Sequence, residues 1–278
     1  DDLIVSGQIH HANQFQNQLG VLISSKECEI HINQKTNCKR SELVYALPIQ
    51  IIHPKSYQML DGGSSLRREF IDWGVFNQNK EFLLIWRKYK KCLHQRNALL
   101  KSKSTRHLPI WNKELANYAY LVNKFRTSYI ADFESVFDSI SQLFLEYKKI
   151  HLHFSSGWDT KYDLEFIYQE SLERDLKYGF TYFGPHRSDI DLKINGKSVK
   201  EFASRGQLKL ITLSLKLAQI QLMSLKSSKI CTLLIDDLTA ELDLVNRTKL
   251  LQFLFDSGCQ VFITATEPTE FGDFNYFN

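Results

Sequence analysis

The stretch 231–264 restricts the possible folds more than any other part of the chain. Cys231-Thr232-Leu233-Leu234-Ile235 is a short apolar run ending in two adjacent carboxylates, Asp236 and Asp237. A run without polar alternation reads as a strand covered on both faces, the habit of strands in parallel sheets. A helix over 246–255 and a second strand over 260–264 follow. Strand, helix and strand in that order form a β-α-β unit, the signal of a parallel pair. The chain is therefore expected to contain an α/β layer with the acid pair at its carboxyl edge, where open α/β sheets bind ligands.

The remaining segments are read around this unit. Residues 1–53 are expected to be β-rich, with strands at 3–9, 19–25, 28–33 and 48–53 and a polar turn at 33–37. After the break at Asp61-Gly62-Gly63, a helix is expected from Ser64 or Ser65, with Glu69 placed for a capping box. Phe82, Trp86, Tyr89, Leu93 and Leu100 fall roughly on one helical face. A longer stripe runs from Trp111 through Leu115, Val122, Tyr129 and Ile140 to Tyr147 in steps of three and four, predicting one long amphipathic helix paired with the first. Such a stripe either lines a core or builds an arm that also meets a partner. Strands at 150–154 and 188–194, a hairpin turn at Asn195-Gly196 and a buried helix over 207–225 complete the reading.

Composition excludes several classes. The 278 residues can bury one large core or two modest ones, and 43% apolar with 24% charged residues is ordinary for a soluble globular protein. Five cysteines, none in a Cys-x-x-Cys pair, suggest a reducing compartment and no zinc site. His10-His11 and His151-x-His153 lack a third ligand nearby. No apolar run approaches the roughly 20 residues a membrane helix needs. The chain opens on Asp1 and at once on a strand-like run, so a further N-terminal part of the natural protein is expected upstream.

Two constellations carry candidate chemistry. Ser204-Arg205-Gly206-Gln207 opens the buried helix; Ser caps it, Gly admits a ligand to the backbone, and the free N–H groups favour an anion such as a terminal phosphate. A plain capped helix start explains the same four residues. The second constellation is basic. No acid occurs between Glu81 and Glu114, while Arg87, Lys88, Lys90, Lys91, Arg96, Lys101, Lys103, Arg106 and Lys113 all fall there. The net charge of +4 hides this local field. It reads as a solvated helix face or as a surface for nucleic-acid phosphates. Arg67 and Arg68 are a further candidate, or else pair with Glu69 or Asp72. His186 is either structural or reaches DNA.

The order of these parts resembles the ABC-type ATPases, and in particular the RecF family of bacterial DNA replication and repair proteins. The resemblance rests on residues 54–72 with Asp61-Gly62-Gly63 and Arg67-Arg68, on Leu234 to Asp243 with Arg247 and Leu250-Leu251, on Gly184-Pro185-His186-Arg187, and on Ser204 to Lys209. It covers nearly the whole chain. It implies an α/β fold: an ABC-type ATPase head, a mixed sheet with flanking helices, carrying an inserted helical arm. Residues 1–53 would be a truncated N-terminal lobe, 54–175 the inserted helical domain and 176–278 the C-terminal lobe. The cofactors implied are ATP and Mg2+, in an ATP-dependent homodimer. Asp236 would hold magnesium and Asp237 would be the catalytic carboxylate that polarises the attacking water. Ser204, Arg205, Gly206 and Gln207 would meet the phosphates across the dimer, and Asp243 would lie in the loop between the two sites. Thr264 falls where many such ATPases have a histidine; a hydroxyl there implies slow hydrolysis.

The implied function is a clamp on DNA at single-/double-strand junctions of gapped duplex. With RecR and RecO it would help load recombinase in gap repair and the SOS response, in the bacterial cytoplasm near the nucleoid. Two departures stand out. Ser64 replaces the proline usual in the family. No Gly-x-x-x-x-Gly-Lys-Ser/Thr loop occurs in these residues, so this chain alone is expected to bind ATP poorly. Other readings are a related chromosome-maintenance ATPase with a short arm, a magnesium nuclease or phosphotransferase using Asp236, Asp237 and Asp243, and a non-catalytic DNA-binding fragment.

Overall fold

The computed structural model describes residues 2–10, 16–25, 27–145, 149–227, 231–237 and 242–265. His11, Tyr147 and residues 238–241 of the loop after the acid pair lie outside the described residues. The alternating N-terminal runs fold as an antiparallel sheet of β1 (Leu3–His10), β2 (Gln16–Ile23) and β3 (Cys28–Ile32). A short helix α1 (Arg40–Ala46), not foreseen from the pattern, leads to β4 (Ile49–Ile52).

The helices follow: α2 (Gln58–Asp61), α3 (Ser64–Gln78), α4 (Phe82–Lys101) and α5 (Leu108–Phe144). The expected box at the start of α3 does not form. Gly63 is the N-cap without a side-chain bond, and the Ser64 hydroxyl instead accepts from Arg68 Nη1 at 2.8 Å. α5 has 37 residues and a proline in its first turn, where a missing N–H costs nothing. Leu115, Ala119, Val122, Tyr129, Phe133 and Phe137 are buried, so the stripe lines the core. Gly74 of α3 meets Tyr129 so closely that a Cβ there would lie 2.2 Å from the ring. Glycine is what lets these two helices touch.

Beyond α5 come β5 (His151–Ser155), α6 (Leu164–Glu170), α7 (Leu172–Tyr178), β6 (Asp189–Ile194) and β7 (Lys197–Ser198). The strands form an antiparallel sheet in the order β5-β6-β7. Its hairpin turns on Asn195 and Gly196, both left-handed at φ 52° and 78°, as a two-residue turn of that kind requires. The helices α8 (Val199–Phe202) and α9 (Arg205–Lys226) lead to β8 (Thr232–Ile235), α10 (Leu244–Ser257) and β9 (Gln260–Ile263).

The third sheet has the order β4-β8-β9 with both pairs parallel, as the strand–helix–strand pattern demands. The central β8 is buried at Thr232, Leu233 and Ile235. Against this layer lies α9, the one helix among the described residues long and apolar enough to suit a bilayer; 67% of that stretch is buried inside the protein. Its Gln219 accepts from Gln50 Nε2 at 2.7 Å and donates to the Phe70 carbonyl at 2.7 Å and the Tyr129 hydroxyl at 3.0 Å. One buried amide thus ties α9 to β4, α3 and α5. Apolar side chains from Ile52 to Leu254 join in a single core cluster.

Candidate functional site

At the carboxyl edge of the parallel sheet, the chain leaves β8 at the acid pair. The Asp236 N–H donates to the Ile52 carbonyl at 2.8 Å, extending the β4–β8 ladder by one bond. Asp237 then turns into left-handed backbone at φ 53°, which ends the strand. Thr264, just past β9, fixes both acids. Its hydroxyl donates to Asp236 Oδ1 at 2.8 Å and accepts from the Asp237 N–H at 2.9 Å, while its own N–H bonds the Ile235 carbonyl at 2.9 Å. Asp236 and Thr264 are exposed and Asp237 is half-buried.

This arrangement suits one kind of cation. Among the described residues no group of three or more His, Cys, Asp or Glu converges as a metal cage. A single exposed carboxylate beside a hydroxyl fits an ion that keeps most of its waters and shares phosphate oxygens, the habit of magnesium rather than zinc.

The helix start at Ser204 is a reciprocal capping box. The Gln207 N–H donates to Ser204 Oγ at 3.2 Å, and the Ser204 N–H donates to Gln207 Oε1 at 3.1 Å. Arg205 and Gly206 are exposed beside it. Ser204 and Gln207 therefore bond each other rather than the acid pair of the same chain. Further along α9, Lys209, Thr212 and Leu213 line a small pocket with Ile52, Ile235 and Leu242, so the first turns of α9 lie at the carboxyl edge of the sheet. Asp243 caps α10: Oδ1 accepts from the Asn246 N–H at 2.8 Å and Oδ2 from the Asn246 amide at 3.1 Å.

The basic run divides. Arg87, Lys91, His94 and Lys101 recur at helical spacing along one face of α4 and are exposed, with Lys90 at its margin. Lys88 is exposed on the neighbouring face, and Lys103, Arg106 and Lys113 are exposed beyond it. Arg96 does not belong to this surface, and its reading as a DNA contact is corrected. It is 0% exposed, with Nη1 bonded to Asp175 Oδ2 at 2.8 Å and Thr181 Oγ1 at 2.7 Å, and Nε to Asn112 Oδ1 at 2.7 Å. Asp175 is equally buried. Two charges without water must neutralise each other, and the full enclosure of Arg96 puts it out of a ligand's reach.

The two arginines of α3 are likewise turned inward. Arg67 is 3% exposed and bidentate on Asp189 at 2.6 and 2.9 Å, with Nη1 reaching the carbonyls of Met59, Leu60 and Gly62. Glu69 and Asp72, the alternative partners to DNA, lie two and five residues from Arg67 and so point elsewhere on the helix, although Asp72 is four from Arg68. Asp72 pairs instead with Arg126 at 2.8 and 2.9 Å. Arg68 donates to the Ser188 carbonyl at 2.9 Å.

Gly184-Pro185-His186-Arg187 forms a tight turn packed against α4 and α5. Gly184 has φ 132°, open only to glycine. Arg126 Nη1 donates to the Pro185 carbonyl at 2.6 Å and Ser188 Oγ at 2.8 Å. His186 lies between the Tyr89 hydroxyl at 2.6 Å from Nδ1 and the Thr181 carbonyl at 2.9 Å from Nε2. A carbonyl only accepts, so Nε2 carries the proton and Nδ1 accepts from Tyr89. Burial pushes the imidazole down to about 4, with a smaller push from Arg187, Lys90 and Arg68. His186 is thus a neutral structural group. Its neighbourhood was legible as a motif, but its role depended on Tyr89 and Thr181, far apart in sequence.

Comparison with known proteins gives a consistent picture. No family model matches the chain. The DNA replication and repair protein RecF of Vibrio vulnificus (strain YJ016) is 37% identical over 278 residues, 98% of this chain and 77% of that protein. The protein of the same name from Shewanella amazonensis is 40% identical over 250 residues, 90% of this chain and 69% of the relative. Among solved structures, the recombination mediator protein RecF-ATP in the RecFOR pathway superposes with a TM-score of 0.85 at 24% identity, covering 96% of this chain and 75% of the other. The SmcHead bound to the C-winged helix domain of ScpA superposes at 0.53 with 12% identity, covering 97% and 68%. The fold is therefore that of an ABC-type ATPase head with helices inserted in it.

Proposed function

The chain belongs to the RecF family of DNA replication and repair proteins, and on that premise we propose that it supplies the acidic and signature parts of an ATP-dependent clamp on DNA. The observation that carries this reading is the acid pair held by Thr264 at the carboxyl edge of a parallel sheet. In the proposal Asp236 holds Mg2+, and Asp237 orients the attacking water and takes its proton. Magnesium, when bound, neutralises charge on phosphate oxygens. Thr264 keeps Asp236 in place through its hydroxyl and fixes the backbone of Asp237.

ATP is sandwiched between two copies in this reading. Ser204, Arg205, Gly206 and Gln207 of one copy meet the terminal phosphate bound by the other, with helix N–H groups aimed at the anion. Asp243, at the cap of α10, links the two sites. The exposed cations Arg87, Lys88, Lys90, Lys91, Lys101, Lys103 and Arg106 contact DNA phosphates. The head comprises the segments 1–53 and 176–278, and the helical segment 54–175 presents this surface. The substrate is gapped duplex with its single strand, and RecR and RecO are the partners through which recombinase is loaded in gap repair and the SOS response. The triphosphate cradle itself is not among these 278 residues, so this chain by itself binds ATP weakly.

The nuclease reading loses its third acid, because Asp243 is engaged in the α10 cap. The test uses the full-length protein with gapped DNA. Asp237→Asn is expected to lower ATP turnover by about 100-fold or more while leaving ATP-dependent dimerisation intact. Charge reversal of Lys90 and Lys91 is expected to weaken DNA binding and flatten its salt slope by about two. Unchanged turnover in the first variant, or metal-dependent cleavage of gapped DNA without ATP, overturns the proposal.

A further inference from the structure

We propose that residues 178–187 form a stacking platform for unpaired nucleotides, alongside the basic face of α4. The inference rests on the reading of the chain as a DNA-binding protein and places the single strand on it. Aromatic rings recur through this loop at Tyr178, Phe180, Tyr182 and Phe183. Tyr178 is 59% exposed and Tyr182 44%. Tyr178 lies 6.1 Å from Phe180 between centroids, and Tyr182 lies edge-on to Phe183 at 5.2 Å. Tyr178 and Tyr182 turn large rings to water, each beside a second ring, and offer aromatic surface that an unpaired base can cover and a base inside a duplex cannot.

Cations are threaded among these rings. The Arg174 guanidinium sits 3.8 Å from the Tyr182 ring and 4.7 Å from Phe183. Arg187 lies 5.3 Å from Phe180 and 5.5 Å from Tyr182, and Lys177 5.6 Å from Tyr178. Nε and Nη2 of Arg174 are buried and make no hydrogen bond among the described residues. Arg174 therefore backs the rings, while the exposed Lys177 and Arg187 are open to an incoming phosphate.

The platform is held in shape before any ligand arrives. Asp175 accepts from the Tyr182 N–H at 3.2 Å, Asn97 accepts from the Thr181 N–H at 2.8 Å, and His186 is clamped by Tyr89 and Thr181. Gly179, at φ 73°, rests on Lys101, the last residue of α4. The Tyr89 hydroxyl meets His186 at the other end. The loop therefore runs beside α4 from Lys101 to Tyr89, about 18 Å of helix. Rings for bases and lysines for phosphates lie in parallel, which favours a nucleic-acid strand over a protein partner.

Fluorescence anisotropy with labelled oligothymidylate and with an equal length of duplex tests this in the full-length protein. The Y178L/Y182L double variant is expected to bind oligothymidylate at least fivefold more weakly, the lower bound for one lost stacking contact. Duplex affinity should hold, showing that the fold is intact, and Y178F/Y182F should bind like the parent. Wild-type affinity for oligothymidylate in the leucine variant overturns the platform, as does loss of self-association with single-strand binding retained. If charge reversal of Lys90 and Lys91 still lowers both affinities in that event, the DNA-binding reading survives without the platform. If the parent binds neither probe, both readings fail.

Discussion

Two regions of this molecule are rich in charge and treat it in opposite ways. At the carboxyl edge of the parallel sheet, Asp236 stands exposed with the Thr264 hydroxyl bonded to it. Between α4 and α7, Arg96 and Asp175 are wholly enclosed; Arg96 is bonded through Nε and Nη1 to Asp175, Asn112 and Thr181. The enclosed pair sets the shape of the loop above it, since Asp175 also holds the Tyr182 backbone. Asp236 and the Asp237 backbone meet Thr264 at the surface rather than in the core. Charge that packing has closed around serves architecture, and charge left facing water remains available for a ligand.

The sharpest test of this contrast is to break the enclosed pair. Arg96→Met strands a carboxylate without water, and stability is expected to fall by about 3–5 kcal/mol, read as a lower urea midpoint. A loss below about 1 kcal/mol would mean that water reaches Asp175.

His186 gives the next largest effect. Its folded-state basicity is depressed to about 4 from an ordinary 6.5. The unfolded chain therefore binds the proton first on acidification. The contribution is fully present above pH 6.5 and is lost as pH falls through about 4, a change on the order of 3 kcal/mol at most. His186→Asn should flatten that limb in urea titrations between pH 7 and 4.5.

The smallest effect is expected at the open edge. Asp236→Asn keeps an acceptor for Thr264 and should shift stability by no more than about 0.5 kcal/mol. A larger shift would show that the edge is structural after all, and the contrast would collapse.

The sequence made the regular parts legible. Leu233 and Ile235 announced a covered strand, and the step of three and four from Leu115 to Phe144 announced α5, because burial imposes those periods directly. The Asn195-Gly196 turn was equally explicit. The short helices α1, α6 and α7 were missed, because seven residues hold too few apolar positions to show a period. Asp163 before α6, which accepts from the Glu165 and Phe166 N–H groups, was the one local signal available there. At the candidate site, Asp236, Asp237 and Thr264 fall together because two parallel strands end side by side. Arg96 could not be told from its basic neighbours. One residue of helical phase turns a side chain from water to core, and its partners Asp175 and Thr181 lie some eighty positions away.

The register of the parallel sheet carries a kinetic consequence. Ile49 of β4 pairs with Thr232 of β8, and β8 in turn waits for β9. On a ribosome the earliest of these strands must remain unpaired for roughly ten to forty seconds of synthesis before its neighbour emerges. During that interval Ile49, Ile51 and Ile52 form a bare β-edge, a template for aggregation that nascent-chain chaperones exist to cover. Refolding from denaturant, where all strands are present at once, should escape that delay.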